Sequence, residues 1–282
     1  MKKISLFQTF KNLLSLTSLA VACVSVPLFA ADVMEPREIT TLPGAFDGAD
    51  AHVQGICCDE NAIYAVFNNF VYKLDWTGAV VKSVPAVSHS GDPCIANNRL
   101  YVAMSSPDGC AFYEYDLDLN LTQKIKIPEC GATDGIVFLN GKFYSGGPSP
   151  STPHLDNPLN VYDENFKFLA HHEINFGVPT NYGPQSIATC RGYIFIAYYV
   201  AGEAPKGSAR SIWLDPETQE VVGTSTLNGS NGWYALPDSM QPDPENFTRL
   251  LVAKTAKVDG KTIARFGFFD FDGKTIKDVT IK

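Results

Sequence analysis

Nine polar or aromatic residues stand at the start of five apolar segments of the chain, and their types suit ligand binding or proton transfer. Histidine exchanges a proton near neutral pH, a carboxyl or amide group hydrogen-bonds to hydroxyls, and an aromatic ring stacks on a sugar. Brought together, such groups would form a pocket for a small polar ligand. The nine residues are His52, Gln54, His89, Asp92, Asp134, Tyr182, Gln185, Trp233 and Tyr234.

Two enzyme chemistries would use the same residues. In a polysaccharide lyase, His52 or His89 would be the base and Tyr182 the proton donor. A hydrolase needs two carboxylates across the scissile bond, and Asp92 and Asp134 are the obvious pair. For an enzyme, we predict catalytic roles for His52, His89, Asp134 and Tyr182. The structural alternative is that these side chains hydrogen-bond only to one another and to trapped water.

The apolar segments belong to a unit that recurs five times along the chain. In the first copy, apolar runs at 56–58 and 62–66 are followed by alternating runs at 70–75 and 79–84. Short runs of this kind, rich in β-branched and aromatic residues, predict a four-stranded meander. An aspartate closes the third run of every copy, at intervals of about 40 to 55 residues, which is typical of propeller blades. These residues are Asp75, Asp116, Asp163, Asp215 and Asp270.

We therefore predict an all-β fold, a five-bladed β-propeller of four-stranded antiparallel blades, with six blades as the alternative count. One domain would occupy residues 31–282. The innermost strands of a propeller start at one end of its axis, so the nine residues should meet at one channel mouth. Adjacent glycines should leave this mouth open. The blades are predicted at 52–86, 89–128, 133–175, 182–227 and 232–282.

Turn chemistry agrees with this architecture. Asn140-Gly141 and Arg191-Gly192 stand where a tight hairpin needs positive φ. The repeated aspartates precede turns, where a carboxylate can accept hydrogen bonds from downstream amides, so we assign them a structural role. Segment 37–42 reads as a further strand, which could lie beside 277–281 or replace part of the last blade.

The first 30 residues resemble a cleaved secretory signal. Lys2, Lys3 and Lys11 precede or flank an apolar stretch at 13–29, and Ala30-Ala31 offers a small-residue cleavage site. We expect a secreted or periplasmic protein. The alternative is a lipoprotein acylated at Cys23, which would attach the chain to a membrane. The formal net charge of −8 disfavours nucleic acid as a partner.

Six cysteines follow the leader, and an even number in an exported protein favours disulfides. Cys57 and Cys94 occupy equivalent positions in neighbouring copies, and Cys110 and Cys130 both lie in loops of the second copy, so either pair could form a bridge. Buried thiols are the alternative for Cys57, Cys58 and Cys190. The spacing favours no zinc site.

The repeated apolar strand, Asn-Gly turn, aromatic strand and Tyr-Asp pair, as at Asn140-Gly141 and Tyr162-Asp163, resembles exported bacterial β-propellers of the NHL-like and quinoprotein-like (YncE-type) families. The resemblance covers residues 45–282. It implies a propeller fold but no particular activity. Some propellers of related shape hold calcium in the channel, so a Ca²⁺ ion in the channel is an alternative here. The sequence itself indicates no cofactor.

The function expected from these observations is an exported propeller that binds a small polar ligand at the channel mouth, with a carbohydrate as the first choice. The first alternative is a carbohydrate-active enzyme, namely a lyase, glycosidase or lactonase, that uses the same face. The second is a protein-interaction scaffold that makes contact through the long loops at 145–158 and 201–208. The sequence does not choose between a binder and an enzyme, and it gives no oligomeric state.

Overall fold

The protein was examined as a computed structural model. It describes residues 29–30, 37–41, 53–87, 90–106, 109–129, 133–147, 152–202, 209–225, 232–241, 248–258, 261–271 and 274–275. His52, His89, Cys23, Cys130 and most of the leader lie outside these residues. The described chain is all-β, as predicted, apart from one turn of 3₁₀ helix at Asp238–Met240. Within it, no helix combines the length and the apolar character needed to cross a membrane.

The described residues form twenty-one strands. In the first half of the chain they are β1 (Phe29–Ala30), β2 (Arg37–Thr41), β3 (Val53–Cys58), β4 (Ile63–Phe67), β5 (Phe70–Leu74), β6 (Val80–Pro85), β7 (Ser90–Ala96), β8 (Arg99–Ser106), β9 (Gly109–Tyr115) and β10 (Leu121–Lys126). In the second half they are β11 (Gly135–Leu139), β12 (Lys142–Gly146), β13 (His154–Asp163), β14 (Phe168–Cys190), β15 (Tyr193–Val200), β16 (Ala209–Leu214), β17 (Val221–Ser225), β18 (Trp233–Ala235), β19 (Thr248–Val258), β20 (Lys261–Phe271) and β21 (Lys274–Thr275).

Hydrogen bonding groups the strands into four sheets. The first predicted copy is the four-stranded sheet β3-β4-β5-β6, and the last is β18-β19-β20-β2. Strand β2 pairs antiparallel with β20, so the N-terminal segment adds a strand to the last sheet, and residues 277–281 lie outside the described part of the chain. The short strands β1 and β21 pair in parallel.

The middle of the chain forms one eleven-stranded sheet, which is larger than the predicted four-stranded unit. Its order is β10-β9-β8-β7-β11-β12-β13-β14-β15-β16-β17. The step from β7 to β11 is a single parallel bridge between Asp92 and Gly135, while the other steps are antiparallel. Strand β14 is long enough to serve two neighbours, because Thr180 pairs with both His154 of β13 and Val200 of β15. Hydrogen bonding alone therefore does not divide this sheet into units.

The first strands of the five copies contact one another in a closed cycle. Strand β3 contacts β7, β7 contacts β11, β11 contacts β14, β14 contacts β18, and β18 returns to β3. These five are called the inner strands below. Their N-terminal ends form the mouth, except that β14 reaches it in the middle, near Pro184. Their C-terminal ends, with the hairpin turns that follow, form the base.

Apolar side chains fill the spaces between neighbouring sheets. Phe195 of β15 packs on Trp213 of β16 at 5.3 Å between ring centroids and on Trp233 of β18 at 5.5 Å. Each fully buried aromatic contributes on the order of 2–3 kcal/mol of burial free energy. The outermost strands differ, since most residues of β10 are exposed. The core therefore holds the inner strands in place.

The repeated aspartates have the predicted structural role wherever the structure describes them. The Asp75 carboxylate accepts the amides of Thr77 at 2.8 Å and Ala79 at 3.0 Å. Equivalent bonds to downstream amides are made by Asp116, Asp163 and Asp215. The left-handed hairpin turns are also confirmed, with φ near 51° at both Asn140 and Arg191.

The described cysteines are core residues. Cys57, Cys58, Cys94 and Cys190 are buried thiols that form no disulfide. The bridge predicted between Cys57 and Cys94 is therefore absent from the structure. Burial raises the pKa of the Cys57, Cys58 and Cys94 thiols, so they stay protonated and pack as small apolar groups.

Candidate functional site

Close backbone packing brings the predicted mouth residues together. A Cβ atom placed on Gly55 would lie 2.1 Å from Oδ1 of Asp92, and one on Gly91 would lie 2.1 Å from the Asp134 carbonyl oxygen. One on Gly232 would lie 2.8 Å from Ile56. The expectation that these glycines leave the mouth open is wrong. They instead let neighbouring inner strands touch, because any side chain there would collide with the next strand.

Asp92 lies at the centre of this packing, only 1% exposed. Its Oδ2 accepts the backbone amide of Ile187 at 2.6 Å, which joins β7 to β14 across the axis. Burial raises the pKa of the carboxyl well above its usual range, against the lowering effect of the Ser186 hydroxyl and the Ile187 and Ile56 amides. Asp92 is therefore a buried acid whose Oδ2 joins β7 to β14, while its Oδ1 makes no hydrogen bond within the described residues. The carboxyl is closed to a substrate.

Asp134 is the neighbouring acid, and it is more exposed to solvent than Asp92. Its carbonyl accepts the Asp92 amide at 2.8 Å, and its own amide donates to Gly146 at 3.0 Å. The residue is partly exposed, and burial of its carboxyl raises the pKa to about 7. Asp134 can therefore hold or release a proton near neutral pH. Asp92 cannot do so for a ligand, because its carboxyl is buried.

Tyr182 and Gln185 lie on a bulged loop within β14. Tyr182 has φ of 65° and Gly183 has φ of 69°, and the register of β14 against β15 shifts at Pro184. The Gln185 amide nitrogen donates to the Tyr182 carbonyl at 3.2 Å, which braces the bulge. The Tyr182 side chain is 52% exposed. The loop thus presents one accessible ring and one partly exposed amide at the mouth.

Contacts connect this loop to Asp134. A Cβ on Gly146 would lie 2.9 Å from Pro184, and Gly146 is the residue whose carbonyl accepts the Asp134 amide. On the other side, the Gln54 amide donates to Oδ1 of Asn68 at 2.5 Å, next to the Gly55–Asp92 contact. Five of the predicted residues therefore gather at the mouth. They are Gln54, Asp92, Asp134, Tyr182 and Gln185.

Trp233 lies in the core instead, and Tyr234 is a partly buried residue packed against it. Trp233 is 1% exposed and packs on Phe195, so its ring offers no stacking surface. Burial raises the pKa of the Tyr234 hydroxyl, which lies among the thiols of Cys57, Cys58 and Cys94. The sequence placed them at the mouth because of their positions in the repeat. Their side chains instead pack between neighbouring sheets. Their predicted role in binding remains without support from the geometry.

Sequence reasoning missed Ser186 and gave no role to the Asn181 oxygen. The Ser186 hydroxyl lies beside the Asp92 carboxyl in an otherwise apolar strand. Oδ1 of Asn181 is buried, and it makes no hydrogen bond within the described part of the chain. The position of Ser186 in the otherwise apolar run 186–188 was the sequence signal that could have identified it. Among the described residues, no three His, Cys, Asp or Glu side chains lie close enough to hold a metal ion.

No protein-family model and no curated protein matches the sequence. Solved structures do match. GH43B from the xyloglucan PUL of Bacteroides ovatus has a TM-score of 0.50 and 14% identity, over 88% of this chain and 57% of its own. The Dos1 propeller has a TM-score of 0.41 and 13% identity, over 72% and 53%.

The WD40 domain of Neurospora crassa Pan2 has a TM-score of 0.45 and 7% identity, over 79% of this chain and 76% of its own. The solved structures that resemble this chain are β-propellers. The likeness to GH43B, at 14% identity, shows the fold alone and nothing about activity. The chain spans little more than half the length of GH43B and of the Dos1 propeller.

Proposed function

We propose that the chain is a five-bladed propeller with four strands in each blade. The closed cycle of five inner strands supports this count. Strand β14 would supply the outer strand of the third blade with its first half and the inner strand of the fourth with its second half. Strand β2 would supply the outer strand of the fifth, closing the ring with the N-terminal segment. The assigned blades are β3–β6, β7–β10, β11–β14, β14–β17, and β18–β20 with β2.

We propose further that the mouth binds a carbohydrate, with Tyr182 as its stacking surface. The observation that carries this proposal is the half-exposed Tyr182 on a left-handed bulge braced by Gln185. Pro184 of the same bulge lies close to Gly146, whose carbonyl accepts the Asp134 amide. A sugar has apolar C–H faces and a rim of hydroxyls. An aromatic ring covers the first, while an amide and a carboxyl hydrogen-bond to the second.

The geometry favours a binder over a glycosidase. Hydrolysis needs two carboxyl groups on either side of the bond that breaks. Of the predicted pair, Asp134 is partly exposed, but Asp92 is sealed in the core and bonded to Ile187. The similarity to a protein named for xyloglucan is consistent with a glycan ligand, but at 14% identity it does not identify one.

One observation favours a lyase as the second candidate. The pKa of Asp134 lies at about 7, where a carboxyl can exchange protons at neutral pH, and Tyr182 stands in the same region. In a lyase these two would act with His52 or His89, as the sequence analysis proposed. Incubation with acidic polysaccharides would then produce unsaturated products that absorb in the ultraviolet, whereas a binder would produce none.

A glycan array tests the binding proposal through two variants of the mouth and one control. Tyr182→Asn removes the ring while keeping a residue that tolerates positive φ, and Tyr182→Phe keeps the ring. Val81→Ala, an exposed position on β6, is the control. We expect the wild type, Tyr182→Phe and Val81→Ala to bind the same glycans, and Tyr182→Asn to bind them at least about tenfold more weakly. Equal binding by Tyr182→Asn, or no glycan bound by the wild type, would overturn the proposal.

Export stays part of the proposal. The positive, then apolar, then small-residue pattern of residues 1–30 supports a cleaved leader. N-terminal sequencing of the protein recovered from periplasm or medium should begin close to Ala31. A chain that starts at an acylated Cys23 would instead show the lipoprotein alternative.

A further inference from the structure

A second cavity lies at the base, at the opposite end of the inner strands from the mouth. Its volume is about 620 Å³, which is within the usual range for small-molecule sites. It is lined by the ends of β11, β14 and β18 and by the start of β19. Ile187, whose amide meets Asp92 at the mouth, is four residues from Arg191 of this cavity, so the two sites are about 13 Å apart along one strand.

The cavity walls carry one positive and one negative side chain. Arg191 and Asp238 both line it and both are exposed. Across the described residues the ion pairs are Lys73–Asp118, Arg99–Glu114 and His171–Glu173, so Arg191 and Asp238 neutralise neither each other nor another described group. A ligand with a single charge would be attracted by one of them and repelled by the other.

Two contacts hold these walls in place. Nε of Arg191 donates to Oγ1 of Thr248 at 2.8 Å, which anchors the guanidinium by one edge. The Gln241 side chain donates to the Leu236 carbonyl at 2.6 Å and accepts the Arg249 amide at 2.7 Å, so it fixes the segment that carries Asp238. A fixed site binds more tightly because less freedom is lost when the ligand enters.

Arg191 is also an unusual choice for its position. It occupies the first place of the β14–β15 turn with φ of 51°, where the equivalent turns use Asn140 and Asn97 with φ of 51° and 50°. Asparagine tolerates this left-handed conformation, whereas a long side chain adopts it at a cost of about 1 kcal/mol. A turn needs no arginine, so the residue fits a role for its charge in the cavity.

We propose that the base cavity binds a small zwitterion, namely an apolar amino acid or a short apolar peptide. The ligand carboxylate would lie on the Arg191 guanidinium, and its ammonium group on the Asp238 carboxylate. Leu139, Leu236 and Pro237 supply an apolar wall for its side chains. This site is separate from the carbohydrate site proposed at the mouth, and neither depends on the other.

Calorimetric titration with matched probes tests the charge requirement. L-leucine and L-leucyl-L-leucine carry both charges, N-acetyl-L-leucine lacks the ammonium, and L-leucine amide lacks the carboxylate. We expect at least one of the first two to bind, and the blocked compounds to bind at least about tenfold more weakly than their parent. If neither zwitterion binds, or if a blocked compound binds as well as its parent, the proposal is wrong.

Variants locate the binding at the base. Arg191→Asn restores the residue type of the equivalent turns, so its unfolding free energy should stay close to that of the wild type while the affinity falls by about tenfold or more. Asp238→Asn should also weaken leucine binding, but it should leave N-acetyl-L-leucine unaffected. Tyr182→Asn at the mouth is the control and should bind the zwitterion normally. Unchanged affinity in folded Arg191→Asn would overturn the assignment, whereas failure of the glycan array would leave it standing.

Discussion

The two ends of the inner strands are built from the same repeat and differ in how closely the strands approach. At the mouth, Gly55 and Gly91 bring backbone against backbone, and the buried Asp92 carboxyl joins strands that are not neighbours in sequence. At the base, the strands diverge into turns, and a cavity opens between Arg191 and Asp238. Close packing of the inner strands makes the mouth rigid. Side chains that could bind a ligand therefore have room only around the rim of the mouth and at the base.

Adding a methyl group at the mouth should have the largest effect. Gly91→Ala puts a Cβ 2.1 Å from a carbonyl oxygen of the neighbouring strand, and backbone cannot give way cheaply. We expect a loss of unfolding free energy of about 3 kcal/mol or more, measured by urea denaturation. Gly141→Asn is the control at the base. Its φ of 73° suits asparagine and no atom lies within 4 Å, so we expect a change below about 1 kcal/mol. Similar losses in both variants would remove the contrast between the two ends.

Replacing Asp92 tests whether its role is to accept a hydrogen bond. Asp92→Ala leaves the Ile187 amide without its partner in the core, which costs about 1–3 kcal/mol before the cavity is counted. Asp92→Asn keeps an acceptor oxygen and removes the ionisable group, so it should be clearly more stable than Asp92→Ala at pH 7. Equal stability of the two variants in urea would show that the bond to Ile187 contributes nothing.

The buried acids predict a specific pH dependence. The pKa of Asp134 is about 7 in the folded protein and near 3.9 when unfolded, so the folded state keeps a proton that the unfolded state has released. This contribution to stability is therefore constant below about pH 4, falls as pH rises to about 7, and is lost above it. Burial raises the pKa of Asp92 as well, so its contribution to stability also falls as pH rises.

Asp134→Asn should flatten part of this fall, so the variant gains stability over the wild type at pH 8 and not at pH 4. Unfolding free energies of both proteins across that range provide the measurement. A wild type whose stability rises between pH 4 and pH 7 in step with that of the variant would contradict the assigned pKa. The same variant at the mouth should leave zwitterion binding at the base unchanged.

The smallest expected change is the stability of Arg191→Asn. Loss of the bond to Thr248 destabilises the variant, whereas removing the strain of an arginine in the left-handed conformation stabilises it. Because these effects oppose each other, the unfolding free energy should change by less than about 1 kcal/mol. A thermal melt checks this. A large loss would show that Arg191 is needed mainly to hold β14 to β19, and it would weaken the contrast between a structural mouth and a ligand-binding base.

The repeat allowed the all-β fold and the turn aspartates to be predicted, because Asp75 and Asp116 depend only on local hydrogen bonding. It also predicted that Asp92 and Asp134 would lie together, and the Asp92 amide does bond to the Asp134 carbonyl. It could not show that Gly55 closes the mouth, since composition does not distinguish a glycine that leaves space from one that permits contact.

Side-chain direction was the other limit. Trp233 stands at an inner-strand start, yet its ring turns between sheets, and a shift of one residue along a strand exchanges its two faces. The eleven-stranded sheet was also unexpected, because one bridge at Gly135 and the length of β14 join units that the sequence repeats separately. The base cavity had a single sequence signal, the arginine in the position that Asn140 fills in the preceding copy.

An amide NMR titration with two ligands tests most directly whether the two ends are separate sites. The best-binding oligosaccharide from the array should shift the amides of Gln54, Tyr182 and Gln185 and leave the base unchanged. L-leucyl-L-leucine should shift those of Arg191, Gly192 and Asp238 and leave the mouth unchanged. If both ligands shift the same set of amides, or if the oligosaccharide shifts only the base, the assignment of the two ends is wrong.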